Sequence, residues 1–208
     1  MAKIPQGING PIVGSIGSVV GSSWKRMPYI KKEYKERTKK VTQKELANRS
    51  KFGASQSWLQ PITTFVREGF KKYTETVEGF LAAKSYLSHN AWEGTGEDMH
   101  INPALMKVSY GNLPLSGDIA VGKTADNQLQ FTWDTAHVDG TSSNDQVMLL
   151  AYNIEDARVY ATTTGQFRRT GADTLTISQP GTYHLYLAFT AADRSRQSHS
   201  VYLGAIDM

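Results

Sequence analysis

Seven short apolar segments recur at regular spacing through residues 104–208, and polar turns separate them. The clearest is TYHLYLAFT at residues 182–190, where four apolar side chains from Tyr183 to Phe189 occupy alternate positions. Alternation with a period of two predicts strands that bury one face. The predicted strands are 105–110, 129–133, 146–152, 158–163, 174–177, 182–188 and 199–203. Seven strands in about 100 residues, with Trp133 on an early one, favour an antiparallel immunoglobulin-like or fibronectin-like β-sandwich.

The stretch before these strands, residues 42–96, carries a helical pattern. Thr42 and Glu45 have the spacing of a capping box, in which each side chain accepts a hydrogen bond from the other residue's backbone amide. Apolar residues then recur at helical spacing as far as Leu87, and Pro61 predicts a kink or an end within that pattern. We therefore expect a helical segment in this part of the chain.

The first 41 residues are glycine-rich and apolar, and then basic. Glycine interrupts every short apolar group in residues 10–24, GPIVGSIGSVVGSSW, which opposes a helix. The segment that continues to Lys32 favours a pair of short strands joined around residues 21–23, with Pro28 at an edge or a bulge. The chain is thus predicted to be α+β, with an N-terminal strand pair (1–41), helices (42–96) and a C-terminal sandwich (104–208).

The charged residues are distributed unevenly along the chain. Residues 1–72 hold 15 Lys and Arg against 4 acids, whereas residues 73–208 hold 8 against 15. These two parts carry formal charges of +11 and −7, which add up to the net charge of +4. The basic part therefore suits either the phosphates of a nucleic acid or the acidic part of a neighbouring copy.

Several classes of function lack their usual signatures in this sequence. No cysteine is present, which excludes disulfides, thiolate metal sites and cysteine nucleophiles. The five histidines lack the H-x-x-x-H and H-E-x-x-H spacings, and neither a G-x-S-x-G elbow nor a phosphate-binding glycine motif occurs. No apolar run approaches the roughly 18 residues of a membrane span. We therefore expect no catalytic residue, no metal ligand, no cofactor and no enzyme activity.

Several stretches, taken in order, resemble a large uncharacterised Bacteroidota family that carries a domain of unknown function. INGPIVGSIGSVVGSSWKRMPYIKK resembles the family's opening, G-x-V-G-x-V-V-G-x-x-W-K, although Arg26 and Met27 stand where a glycine is usual. The resemblance continues through TQKELANRSKF, VSYGNLP and NDQVMLLAYN, and ends in an S-x-S-V-Y-x-G motif within RSRQSHSVYLGAI. The first half is also similar to small phage-associated proteins. The resemblance to the Bacteroidota family indicates how the chain is to be grouped, and it indicates no particular activity.

We expect a non-enzymatic structural or assembly protein, a self-associating subunit of a phage-like particle or a surface appendage. Isolated short hairpins are marginally stable, so the apolar N-terminal arm is expected to dock on a neighbour by adding to its sheet. Charge that is polarised from end to end suits head-to-tail contact between copies. The expected partners are further copies or other structural subunits. The residues predicted to make the contact are Ile12, Val13, Ile16, Val19, Val20, Trp24 and Tyr29.

Two alternative functions use other parts of the chain. The basic segment 24–51, with interleaved aromatic residues, is typical of a nucleic-acid-binding accessory protein. Its predicted contact residues are Lys25, Arg26, Lys31, Lys32, Lys35, Arg37, Lys39 and Lys40. The other alternative is an adhesion or ligand-binding module that uses the sandwich loops, such as residues 134–145.

The opening of the chain lacks the pattern of a signal peptide. Such a segment needs a charged start and a dense apolar core, whereas only Lys3 precedes the apolar stretch and glycine breaks that stretch repeatedly. We therefore expect the cytoplasm or a particle, and not classical secretion, as the location.

Overall fold

A computed structural model describes residues 3–4, 10–24, 27–36, 38–73, 77, 79–125 and 127–208 of the chain. The chain is α+β, as the sequence predicts, with antiparallel sheets throughout. It divides into two compact units, Met1–Glu45 and Leu46–Met208. Each unit is described by itself below.

The N-terminal unit contains a three-stranded antiparallel sheet. Its strands are β1 (Gly14–Ile16), β2 (Val19–Trp24) and β3 (Met27–Lys32), paired in that order. The first turn needs Gly17, whose φ of 56° lies in the left-handed region.

The predicted turn at residues 21–23 is wrong, because β2 runs straight through it. Gly21 serves another purpose in the middle of this strand. The backbone of Ile12 crosses so closely that a Cβ on Gly21 would overlap the Ile12 carbonyl group. Glycine therefore marks a close approach of two backbone segments here, and not the end of a strand.

The described residues form three α-helices, α1 (Gln43–Leu59), α2 (Thr63–Gly69) and α3 (Gly79–Asn90). The capping box before α1 is confirmed. The Thr42 amide donates to the Glu45 carboxylate at 3.0 Å, and the Glu45 amide donates to the Thr42 hydroxyl at 3.3 Å. The predicted break at Pro61 is also confirmed, because α1 ends before it and α2 begins after it.

A short hairpin, β4 (Trp92–Glu93) with β5 (His100–Ile101), follows the helices, and two larger sheets come after it. The three-stranded sheet has the order β10-β7-β6, and the four-stranded sheet has the order β12-β11-β8-β9. Their strands are β6 (Ala120–Ala125), β7 (Gln128–Thr132), β8 (Gln146–Asn153), β9 (Arg158–Thr162), β10 (Ala172–Thr176), β11 (Thr182–Thr190) and β12 (Val201–Asp207).

Six of the seven predicted strands in this region coincide with β7 to β12. The two sheets enclose a shared core that includes Leu129, Phe131, Leu149 and Leu187. In the immunoglobulin constant arrangement, the fourth strand joins the sheet of the first, second and fifth strands. Here the fourth strand, β9, pairs with β8. The three-stranded sheet therefore contains the first, second and fifth strands, and the four-stranded sheet contains the third, fourth, sixth and seventh.

The predicted strand 105–110 is wrong, because this segment forms no strand in the structure. Its polar backbone groups bond to remote parts of the chain. The Val108 amide donates to the Ser200 hydroxyl at 2.9 Å, and the Tyr110 amide donates to the Gly69 carbonyl at 2.9 Å. Within residues 104–208 the sequence pattern missed strand β6, which is short of large apolar residues and mostly exposed, so it lacks alternation.

The four-stranded sheet is buried on both faces. Every residue of β8 from Val147 to Asn153 is buried. One face of β8 contributes Leu149 to the core shared with the three-stranded sheet, and the other contributes Leu150 to a second core beneath the helices. The C-terminal unit therefore has three layers: helices, the four-stranded sheet and the three-stranded sheet. Each large apolar side chain buried in this way contributes about 1.5–3 kcal/mol.

A substitution at Gly111 tests how the irregular segment 105–113 is packed. A Cβ on Gly111 would overlap the Gln197 carbonyl, so we expect Gly111→Ala to reduce the free energy of unfolding by about 2 kcal/mol. Gly53 is a matched control, because it lies within α1 and open space surrounds its Cβ position. Gly53→Ala should stabilise the protein by up to about 1 kcal/mol. Urea unfolding measures both values, and equal effects of the two variants would contradict this packing.

Candidate functional site

The N-terminal sheet leaves its apolar side chains in solvent. Of the described residues before Leu46, Gly21 is the one that is buried. Trp24 is 58% exposed, Met27 is 61% exposed and Ile30 is 62% exposed. A three-stranded sheet needs a covered apolar face for stability, since ordering each backbone residue costs about 1–2 kcal/mol. This sheet therefore presents a surface that a partner can cover.

Both faces of this sheet are apolar. The strand register places Ile16, Val19 and Ile30 on one face. The opposite face carries Val20, Trp24, Met27 and Tyr29. Of the other predicted contact residues, Val13 pairs with Lys3 through two backbone hydrogen bonds of 2.8 and 2.9 Å, and Ile12 crosses Gly21. The predicted contact residues are thus divided between two faces and a crossing segment.

The basic residues of the N-terminal unit that the structure describes do not form one stripe. Lys31 and Lys32 lie on opposite faces of β3, because consecutive residues of a strand alternate. Lys35, Lys39 and Lys40 are exposed in the irregular segment after β3. Lys25, Arg26 and Arg37, which the sequence also predicts as contacts with nucleic acid, lie outside the described residues.

The two compact units carry formal charges of opposite sign. Residues 1–45 hold ten Lys and Arg against three Glu, which gives +7. Residues 46–208 hold 13 Lys and Arg against 16 acids, which gives −3. Complementary charge of this kind favours contact between unlike surfaces.

In the C-terminal unit, the predicted binding loop 134–145 lies beside the loop between β11 and β12. Arg196 joins the two loops, because its Nη2 donates to the Gly140 carbonyl at 2.9 Å. A buried ion pair anchors the end of loop 134–145, with Arg168 Nε 3.5 Å from the Asp145 carboxylate. Burial lowers the pKa of Arg168, and the Asp145 carboxylate opposes that shift. Removing one partner of such a pair typically costs about 3–5 kcal/mol.

A cavity of about 620 Å³ opens beside these loops, and we call it the Tyr110 pocket. Three segments that are distant in the sequence line it. The lining residues are Lys72, Tyr73, Tyr110, Gly111, Asn112, Ser195, Arg196, Gln197 and His199. They include two cationic side chains, and none of these nine is an acid. The volume falls within the range of about 300–1,000 Å³ that is usual for small-molecule sites.

Tyr110 is the centre of an aromatic cluster. Its ring lies 4.9 Å from Tyr73 and 4.4 Å from His199, measured between centroids. It also contacts Phe70 and Tyr86 at 6.4 and 5.7 Å. Such ring pairs contribute about 0.5–1.5 kcal/mol each beyond burial. The cluster therefore holds the wall of the Tyr110 pocket in one position.

Polar groups at the Tyr110 pocket are incompletely satisfied. Gln197 Nε2 and His199 Nδ1 are buried and have no hydrogen-bond partner among the described residues. Leaving a buried polar group unpaired costs about 1–3 kcal/mol. Burial lowers the pKa of His199, and the positive charge of Lys107 lowers it further. His199 is thus held towards its neutral form.

Asp193 lies on the same loop as Arg196. The Ser195 amide donates to its carboxylate at 2.9 Å. Hydrogen bonds from Ser195 lower the pKa of Asp193, and Lys72 contributes a smaller effect. Lys72, from the chain after α2, therefore lies near the β11–β12 loop.

Sequence reasoning missed the Tyr110 pocket because its parts are far apart in the chain. Lys72, Tyr110 and Arg196 have no shared motif, and the histidines show no ligand spacing. The available signal was local: RSRQSH at residues 194–199 places two arginines, a glutamine and a histidine within one loop. Within the part of the chain that the structure describes, no group of three or more His, Cys, Asp or Glu is placed to hold a metal ion.

No helix formed by the described residues has both the length and the apolar character needed to cross a membrane. A comparison with family models matches residues 11–204 to a family described as "Family of unknown function (DUF6266)". This agrees with the sequence-based expectation of a domain of unknown function. A search of curated proteins found no match.

Stability should depend on pH because two histidines are half-buried: His184 in β11 and His199 in the loop before β12. Burial lowers the pKa of His184, which bonds to the Tyr202 hydroxyl at 2.9 Å, as it lowers that of His199. Below the ordinary histidine pKa of about 6.5 the unfolded chain takes up protons that the folded chain does not. The free energy of unfolding should therefore fall as the pH is lowered from about 7 to about 5.

Urea unfolding across this range measures the effect. The double variant His184→Gln/His199→Gln should show a shallower fall than the wild type, because it removes both groups. The range from about pH 7.5 to 8.5 is the control, since neither histidine binds protons there and the two slopes should agree. An equal fall below pH 7 in both proteins would show that other groups cause it.

Proposed function

Since the chain belongs to this family of unknown function, whose description names no activity, we propose a function from its N-terminal sheet: the protein is a non-enzymatic assembly subunit that binds a second copy of itself. The observation that carries the proposal is the exposure of apolar side chains on both faces of that sheet. Trp24 and Ile30, on opposite faces, are each more than half exposed. A sheet of this kind gains stability when a partner covers it.

Charge supports a second copy as the partner. The N-terminal unit has a formal charge of +7 and would be attracted to the C-terminal unit of another copy, which has a formal charge of −3. Strand β3 pairs with β2 on one side, and its other edge has no strand partner among the described residues. An open edge of this type accepts an added strand.

Contact between the N-terminal sheet of one copy and the C-terminal unit of the next is heterologous. Contacts of this kind close into rings or continue into filaments, depending on the rotation between copies. They suit a subunit of a repeating structure, such as a phage-like particle or a surface appendage. The proposal therefore predicts assemblies whose mass is a multiple of the 23.0 kDa chain.

The double variant Val19→Thr/Ile30→Thr tests this role. Both residues lie on one face of the sheet, and threonine keeps their strand preference while adding a hydroxyl to that face. Loss of about 1 kcal/mol or more of apolar burial per residue should weaken association roughly 30-fold. Light scattering coupled to size-exclusion chromatography, over a range of protein concentrations, measures the change in mass. Folding should be retained, because the buried apolar cores begin at Trp58.

Ser23→Thr is the matched control, because Ser23 lies on the same face and is exposed. This variant should assemble like the wild type. A wild-type protein that is monomeric at every concentration would overturn the proposal. A monomer that carries nucleic acid at low salt, and releases it at high salt or after glutamine replaces Lys31, Lys32, Lys39 and Lys40, would assign the basic segment to nucleic acid instead.

A further inference from the structure

Beyond assembly, we propose that the Tyr110 pocket binds a sugar that carries an acidic group, either a carboxylate or a phosphate. The proposal uses the C-terminal unit alone and does not depend on the N-terminal sheet. Three features of the pocket support it: the angle between its aromatic rings, its two cationic side chains and the exposed amide of Asn112.

The rings of the Tyr110 pocket form a corner. Tyr73 and Tyr110 are nearly perpendicular, at 86°, and His199 is tilted by 60° from Tyr110. A planar base or aromatic ligand is bound best by a flat stacking surface. A corner fits a puckered ring instead, whose C–H groups can pack against the electron-rich faces of the aromatic side chains. A sugar ring has this shape.

The charges of the Tyr110 pocket select an acidic group. Lys72 and Arg196 line it, and Lys107 lies beside it with its Nζ 5.3 Å from the centroid of the Tyr110 ring. Arg196 uses one of its five N–H donors on the Gly140 carbonyl, and a guanidinium group can bind a carboxylate or a phosphate with two donors. Among the described residues, the acid Asp193 lies near the pocket, and its carboxylate accepts a hydrogen bond from the Ser195 amide at 2.9 Å.

Hydroxyl groups of the sugar find partners in the same wall. Asn112 and Gln197 each carry an amide that both donates and accepts hydrogen bonds. Gln197 is 2% exposed and its Nε2 is shielded from solvent, so Asn112, which is exposed, is the amide that a sugar hydroxyl can reach directly.

The pocket is held in shape before any ligand arrives. Ser109 Oγ donates to the Ser198 carbonyl at 2.7 Å, and the Leu113 amide donates to the Gln197 carbonyl at 2.9 Å. These bonds join residues 109–113 to residues 197–198 on both sides of Tyr110. A site that is ordered in advance loses less entropy on binding, which favours even a small ligand.

The experiment titrates the full-length protein with glucuronic acid, glucose 6-phosphate, neutral glucose and inorganic phosphate, and follows the NMR signals of each probe, which stay observable whether or not the protein assembles. We expect at least one of the two acidic sugars to bind at least tenfold more tightly than glucose and than inorganic phosphate. Lys72→Gln should weaken that binding at least tenfold, and Tyr73→Leu should weaken it because the corner is lost. Thermal unfolding verifies that each variant is folded.

Lys71→Gln is the matched control, because Lys71 is the neighbouring lysine, lies outside the lining and pairs with Glu68 at the surface. It should bind like the wild type. Preference for glucuronic acid would indicate an acidic glycan, and preference for glucose 6-phosphate a phosphorylated sugar; either supports the proposal. Equal binding of glucose, equal binding of inorganic phosphate, equal effects of Lys71→Gln and Lys72→Gln, or binding of none of the probes would overturn it.

Discussion

The burial of the four-stranded sheet on both faces is the constraint on which the rest of the C-terminal unit depends. Strands β8 and β11 run side by side at its centre, and nearly all of their side chains are shielded from water. One face needs the helices and the other needs the three-stranded sheet, so neither outer layer can be removed without exposing a core. On the helical face, the buried Tyr152 hydroxyl donates to the remote Trp58 carbonyl at 2.9 Å, and burial raises the pKa of Tyr152 to about 12.

This constraint leaves the loops and the irregular connections to form a site. The segment 105–113 crosses from the end of α2 to the loop before β12, and its backbone groups bond to both. The ring of Tyr110, which belongs to this segment, is therefore held in place by the same contacts that close the core. The Tyr110 pocket is thus a consequence of how the helical layer is joined to the four-stranded sheet, and its cations come from the two segments that this connection brings together.

The N-terminal sheet follows the opposite principle. Its described residues bury no large apolar side chain, and the surface that would form a core in an ordinary domain is exposed. Removing this surface from water is the main source of free energy available to it, because the sheet hydrogen bonds contribute little net stability on their own. In the proposed assembly, the opposite formal charges of the two units favour a partner with the same sequence.

Local patterns of the sequence determined the α+β class, six of the seven predicted strands, the capping box of Thr42 and Glu45 and the break at Pro61, because these signals depend on residues two to four positions apart. The tertiary structure alone decided that β8 has two buried faces, that segment 105–110 is not a strand and that Gly21 lies within one. The physical reason is distance along the chain: the partners of Ser109 are 40 and 89 residues away, and no local pattern encodes which backbone will approach. The Tyr110 pocket belongs to the second class, since Lys72, Tyr110 and Arg196 meet only after the layers have packed.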